Sequence, residues 1–179
     1  MYWADRHVVV GVTGGIACYK SCHLVRRLVE AGARVDVVLT KAAAEFVGPL
    51  TFEALTGRPV LASLWEPGRA LAHVHLGQTA DLVIVAPATA HLVARLSHGF
   101  ADDFLTAMLL AATCPVLLAP AMNDEMFASP ATGRNLADLV ARGFACVGPE
   151  IGPLAEGASD RPGRMSEPEV ILDHGARLL

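Results

Sequence analysis

Aromatic residues are scarce in this chain, 6% of 179, although hydrophobic residues of all kinds make up 53%. So few rings exclude a core built on large aromatic side chains. The interior has to be filled by Val, Leu and Ala, which suits helices packed on a parallel sheet. Cysteine is also sparse: Cys18, Cys22, Cys114 and Cys146 form no CxxC pair. That excludes a disulfide framework and fits a reducing compartment. Cys18 and Cys22 are four apart and could share a helix face, but no nearby Cys or His completes a zinc set, so they read as buried thiols and no metal is expected. There is no basic run, and the net charge of -4 comes from scattered groups, so neither nucleic acid nor an anionic membrane is an expected partner. No apolar stretch reaches the roughly 18 residues of a membrane span. The apolar run Val8-Val9-Val10 is followed at once by glycines and lacks the pattern of a signal peptide, so the expected location is cytoplasmic.

What is present alternates. His7 to Val12 reads as a strand and Gly15 to Ala31 as a helix stopped by Gly32. Further strands are expected at Arg34 to Leu39, Leu82 to Ala86, Pro115 to Ala119 and Phe144 to Val147. Helical patterns lie at Thr89 to Gly99, Asp103 to Ala112 and Glu125 to Arg142, with a last short helix from Pro168 to Leu178. Alternation of this kind predicts an α/β fold with a doubly wound, mostly parallel sheet. Between Ala43 and Thr79, Pro49, Gly57, Pro59, Pro67 and Gly68 predict a helical turn plus loops. Gly148 to Pro168 is rich in Gly and Pro and reads as a long functional loop. No repeat or composition shift marks a second domain, so residues 1–179 are read as one.

Three strand-to-helix turns carry the candidate chemistry. Gly11-Val12-Thr13-Gly14-Gly15-Ile16-Ala17 offers free amides and a helix dipole to an anion, for which phosphate is the natural guest. It is not GxGxxG, and the second strand ends in Thr40-Lys41 where a dinucleotide site would place an acid, which favours a mononucleotide such as FMN. The second turn, Ala86-Pro87-Ala88-Thr89-Ala90-His91, allows close approach of a ring or phosphate, although Thr89 also reads as a helix cap. The third is Pro120-Ala121-Met122-Asn123-Asp124-Glu125-Met126, in which Asn123 reads locally as an N-cap. Ligands of open α/β sheets bind at the carboxyl ends of the strands, where all three turns lie.

Together with Tyr19-Lys20, His73-Val74-His75-Leu76, Ala80-Asp81, Gly99-Phe100-Ala101-Asp102-Asp103 and Gly163-Arg164-Met165, these pieces appear in a specific order. The chain resembles the homo-oligomeric flavin-containing cysteine decarboxylases, the family of phosphopantothenoylcysteine decarboxylase and of the lantibiotic-type peptidyl-cysteine decarboxylases, over roughly Arg6 to Gly175. The resemblance implies a Rossmann/flavodoxin-like domain binding FMN, with FAD as the variant, through Gly14, Gly15, Ile16, Thr40, Phe46, Pro87, Ala88, Thr89 and Ala90. It implies His73 as the base and Asn123 as the holder of the substrate carboxylate. Met126, Gly163, Arg164 and Met165 would contact substrate, the last three from a clamp within 148–167. It also implies a homotrimer or homododecamer with flavin at a subunit contact.

The flavin of such enzymes oxidises a C-terminal cysteine unit to a thioaldehyde whose electron sink lets carbon dioxide leave. A histidine base near neutrality suits removal of the thiol proton. In the pantothenate enzymes a clamp cysteine then helps return electrons to the product. Here Glu156 stands at that place, within Leu154-Ala155-Glu156-Gly157. On that ground the sequence reading is oxidative decarboxylation of a precursor peptide's C-terminal cysteine to an enethiol, which the absence of a fused synthetase domain also suggests. The alternatives are a phosphopantothenoylcysteine decarboxylase of coenzyme A biosynthesis with another donor in place of cysteine, and a non-catalytic flavin-binding regulatory subunit. His91 is either a contact to flavin phosphate or substrate, or a solvated first-turn residue.

Overall fold

The computed structural model describes residues 2–179. In chain order its elements are β1 (His7–Val12), α1 (Cys18–Glu30), β2 (Arg34–Leu39), α2 (Lys41–Ala44), α3 (Pro49–Thr56), α4 (Ala72–Thr79), β3 (Leu82–Ala88) and α5 (Ala90–Ser97). They continue with α6 (Phe104–Ala111), β4 (Val116–Pro120), α7 (Asp124–Ala128), α8 (Pro130–Ala141), β5 (Ala145–Cys146), β6 (Glu150–Ile151), β7 (Pro162–Arg164) and α9 (Pro168–Ala176).

Strands β2-β1-β3-β4-β5 form one sheet in that order, parallel throughout. Both faces are covered, so the strands are apolar without alternation. Val8, Val10 and Val12 turn toward α1, α3 and α9, while Val9, Val83, Val85 and Leu118 pack with residues of α5, α6 and α8 on the other face. No helix among the described residues is long and apolar enough to cross a membrane.

The expected doubly wound parallel sheet is present, and the departures have local causes. The region from Ala43 to Thr79 contains α3 and α4 instead of a single helical turn. Pro49, read as a breaker, occupies the first turn of α3, where its missing N–H costs nothing, and Gly57 ends that helix in the left-handed conformation. The single helix expected from Glu125 to Arg142 is two. Pro130 starts α8, and Ser129 before it is extended (φ -58°, ψ 131°), because a residue preceding proline avoids the helical region. The first helix starts at Cys18, three residues later than expected, leaving Gly15 to Ala17 as an open turn. Within the Gly148 to Pro168 segment, β6 and β7 pair antiparallel and make a hairpin of what reads as a loop.

Candidate active site

β1 and β3 are neighbours in the sheet, but the chain leaves β1 toward β2 on one side before crossing to β3 on the other. The order reverses there, which opens a crevice at the carboxyl ends of the two strands. Both of the first two predicted turns lie on it. Thr13 joins them: its hydroxyl donates to the Pro87 carbonyl at 2.7 Å, lies 3.1 Å from the Thr89 hydroxyl and accepts the Thr89 amide at 3.2 Å. Thr89 in turn accepts the Leu92 amide at 3.4 Å, capping α5. Gly14 is required by packing, since a Cβ there would stand 2.5 Å from the Cβ of Ala42 and 2.8 Å from its backbone. The amides of Gly14, Gly15, Ile16 and Ala17 find no acceptor among the described residues, and they precede the N-terminus of the 13-residue α1. Four unengaged donors at a helix start fit a phosphate.

The third turn meets the hairpin. Met122 donates its amide to the Gly163 carbonyl at 3.0 Å, and a Cβ at Gly163 would come within 2.6 Å of the Met122 carbonyl, so β7 lies tight against the turn. Asn123 caps α7, its Oδ1 accepting from the amides of Glu125 (2.9 Å) and Met126 (3.3 Å). That fixes the side-chain amide, whose Nδ2 donates to the Glu156 carboxylate. The hairpin is anchored from below by Lys20, a buried lysine of α1 that donates to the Met165 carbonyl at 3.1 Å and to Glu167 at 2.9 Å. Lys20, with burial opposing it and Arg164 assisting, holds the Glu167 carboxyl below its ordinary range.

These pieces line a cavity of about 1030 Å³. Among the predicted residues it brings together Gly14, Gly15, Ile16, Thr40, Thr89, Ala90, Asn123, Met126, Gly163, Arg164 and Met165, with His91 and Glu156 beside them. Four predicted residues are outside its lining. Pro87 and Ala88 are buried as the last residues of β3 and support the turn from behind. Phe46 lies past the end of α2, 52% exposed. His73, on α4, opens into an adjoining cavity of about 400 Å³ with Trp65, Leu110 and Ala111, which shares Leu64 and Trp65 with the first. Its ring meets Phe104 edge-on at 6.1 Å, and its buried Nδ1 has no hydrogen-bond partner among the described residues. His75, two residues on along the same helix, is exposed.

The structure adds residues that sequence reasoning did not assign to the site. Arg95 lines the cavity between Asp103, at 2.7 Å, and Asp102. Burial works against its charge, but the two carboxylates outweigh that and raise it above its ordinary value. The helical spacing of His91, Leu92 and Arg95 on α5 is the signal that could have found it. Ser63 and Trp65 come from the loop before α4, where no periodicity points to them. None of the four cysteines lines either cavity. Burial pushes all four thiols up from their ordinary value, so each is held protonated.

Comparison with known proteins places this geometry. The family model described as Flavoprotein matches residues 3–179. The coenzyme A biosynthesis bifunctional protein CoaBC of Mycobacterium tuberculosis is 54% identical over 174 residues, covering 97% of this chain and 41% of that protein. The Vibrio cholerae protein of the same name is 47% identical over 173 residues, covering 96% and 43%. The chain thus spans about two fifths of the length of these curated relatives. Among solved structures, the FMN-dependent cysteine decarboxylase SpaF superposes with a TM-score of 0.84 at 31% identity, covering 98% of this chain and 97% of that one. A PPC decarboxylase complexed with pantothenoylaminoethenethiol gives 0.83 at 28%, covering 95% and 96%. A family match over nearly every residue, and likeness over nearly the whole of SpaF, make this chain a member of the flavoprotein family that includes the FMN-dependent cysteine decarboxylases.

Proposed function

We propose that this chain binds FMN and decarboxylates the cysteine carboxylate of phosphopantothenoylcysteine, the step that coenzyme A biosynthesis requires. The observation that carries this is the 47–54% identity to CoaBC proteins over almost the whole chain, against 31% for SpaF. It outweighs the peptide-tailoring reading, whose ground in the clamp is one position, Glu156. Substitution at one clamp residue weighs less than identity at about half of all positions.

The amides of Gly14 to Ala17 would hold the flavin phosphate, with Thr89 and Ala90 on the opposite lip and Thr40 at the edge. When bound, the flavin supplies a two-electron oxidation that makes carboxylate loss possible. Asn123 binds the substrate carboxylate through its side-chain N–H groups without adding charge. Its orientation is fixed by the two amides that its oxygen caps. His73 serves as the base that takes the thiol proton. Arg164 and Met165, anchored by Lys20, close one wall over the substrate. No thiol reaches the cavity, so the proton returned to product carbon comes from a donor other than cysteine.

His73 and Asn123 line different cavities of one chain, which supports a homotrimer or homododecamer whose site is completed by the His73 of a neighbouring copy. Exposed apolar side chains beside His73, Trp65 at 87% and Leu110 at 60%, support burial of that face. One observation favours the peptide reading as the second: the absence of any cysteine from the cavity lining. The test is incubation of the purified flavoprotein in air with phosphopantothenoylcysteine and, separately, with short peptides ending in cysteine. Loss of carbon dioxide alone from phosphopantothenoylcysteine is expected. Loss of carbon dioxide plus two hydrogens from a peptide would establish the second reading, and no turnover with flavin bound would point to a regulatory subunit.

A further inference from the structure

We infer that Glu156 is an internal competitor for the carboxylate position at Asn123, so that an incoming carboxylate has to displace it. This deepens the proposed function and rests on it for the role of Asn123. The geometry behind it is independent of any relative.

Both amides at the start of α7 are taken by Asn123 Oδ1, which leaves Nδ2 as the donor turned toward the cavity. Its acceptor is the Glu156 carboxylate, the same functional group that a cysteine substrate presents. Glu156 sits at the tip of the hairpin, in a tight loop closed by Leu154 and Gly157, whose backbones exchange bonds of 2.8 and 3.1 Å. The base of that hairpin is fixed by Gly163 on Met122 and by Lys20 on Met165. The Glu156–Asn123 contact is the tip's attachment at the carboxylate position, while Ser159 donates to Asp124 at 2.5 Å and Arg161 pairs with Asp124 and Glu125 farther along the same loop.

Nearby cations do not hold Glu156 in place. Arg161 pairs with Glu125 and Asp124, and Arg164 with Glu167. Glu156 is exposed and bound to a neutral amide, a contact that water and salt screen and that a ligand can replace. The hairpin tip therefore covers the carboxylate position and yields it to a ligand bearing its own carboxylate, without movement of the anchored base.

The test uses the flavin-loaded protein and its Glu156→Ala and Glu156→Gln variants, with flavin absorbance and melting temperature as controls for folding. The probes are pantothenoylalanine, which keeps the carboxylate and lacks the thiol, a short peptide ending in alanine, and the carboxamide of each, titrated by calorimetry. Glu156→Ala is expected to bind a carboxylate probe about threefold more tightly than the parent, with no change for its carboxamide. Glu156→Gln, which keeps an acceptor and loses the charge, should fall between. Unchanged or weaker carboxylate binding by Glu156→Ala overturns the inference, as does failure of both carboxylate probes to bind either protein. Turnover of phosphopantothenoylcysteine by the parent is measured in parallel, so loss of the inference and loss of the decarboxylase reading are told apart.

Discussion

The amino and carboxyl ends of the same parallel strands are built on opposite principles. At the amino end His7, Asp36, Asp81 and Arg58 are joined in one network. The His7 amide donates to Asp81 at 2.7 Å, and its ring meets the Thr79 carbonyl at 3.2 Å and Asp36 at 2.7 Å. Asp36 is closed on its other side by Arg58 at 2.6 Å. At the carboxyl end, among the described residues, the amides of Gly14 to Ala17 and His73 Nδ1 have no hydrogen-bond partner, and Asn123 Nδ2 is met by a side chain on an exposed hairpin tip. A fold pairs its buried polar groups where they hold elements together, and leaves them open where a ligand is to complete them.

Breaking the carboxyl end should abolish function without unfolding. Asn123→Ala and His73→Ala are each expected to cut turnover by about 100-fold or more while flavin absorbance is retained. A melting temperature close to the parent's checks that the fold survives. Mixing the two inactive variants under conditions that exchange subunits should restore part of the activity if the site is shared between copies; no recovery would place both residues in one chain's site.

The amino end should show the reverse. Asp36→Ala leaves the His7 ring and the Arg58 guanidinium without their common partner and is expected to cost about 3 kcal/mol of stability, read by denaturant unfolding, with flavin affinity unchanged. Acid sharpens the comparison. Burial pushes the Asp36 carboxyl up, but His7 and Arg58 outweigh it and bring it from 3.8 to about 2. Because the folded value is depressed, the stabilisation is complete above pH 3.8 and is lost as pH falls through about 2. It amounts to about 2 kcal/mol and should be absent from the acid unfolding curve of Asp36→Asn. The smallest effect is expected at the hairpin base, where Lys20→Met should cost about 1 kcal/mol and raise KM more than it lowers kcat, since Lys20 positions the segment that carries Met165.

Much of this arrangement is legible in the chain. Val-rich runs separated by helical patterns specify a parallel sheet, and glycine and threonine at three strand ends mark the crevice. Legibility fails where context reassigns a residue. Pro49 and Gly57 read as interruptions but start and end α3, because the same residues that break a helix inside it delimit one at its ends. Pro87 and Ala88 are outside the cavity lining because a residue completing a buried strand shows the cavity its neighbours and not itself, and Phe46 is outside it because it lies past the end of α2. Arg95 is signalled only by its helical spacing from His91 and Leu92, and the bond from Lys20 to the Met165 carbonyl depends on the packing of α1 against the hairpin, which no local pattern encodes. The placement of His73 on a second cavity is not legible in the sequence. Glu156 at the clamp position is legible, but one position weighs less than the 47–54% identity of the whole chain to CoaBC proteins.

The most direct test of the decarboxylase reading is to count turnovers per flavin with phosphopantothenoylcysteine in the strict absence of oxygen. Loss of carbon dioxide alone leaves the flavin in its starting redox state, so many turnovers per flavin are predicted. A reaction that stops after one carbon dioxide per flavin and leaves the cofactor reduced would contradict the account and return the chain to oxidative chemistry.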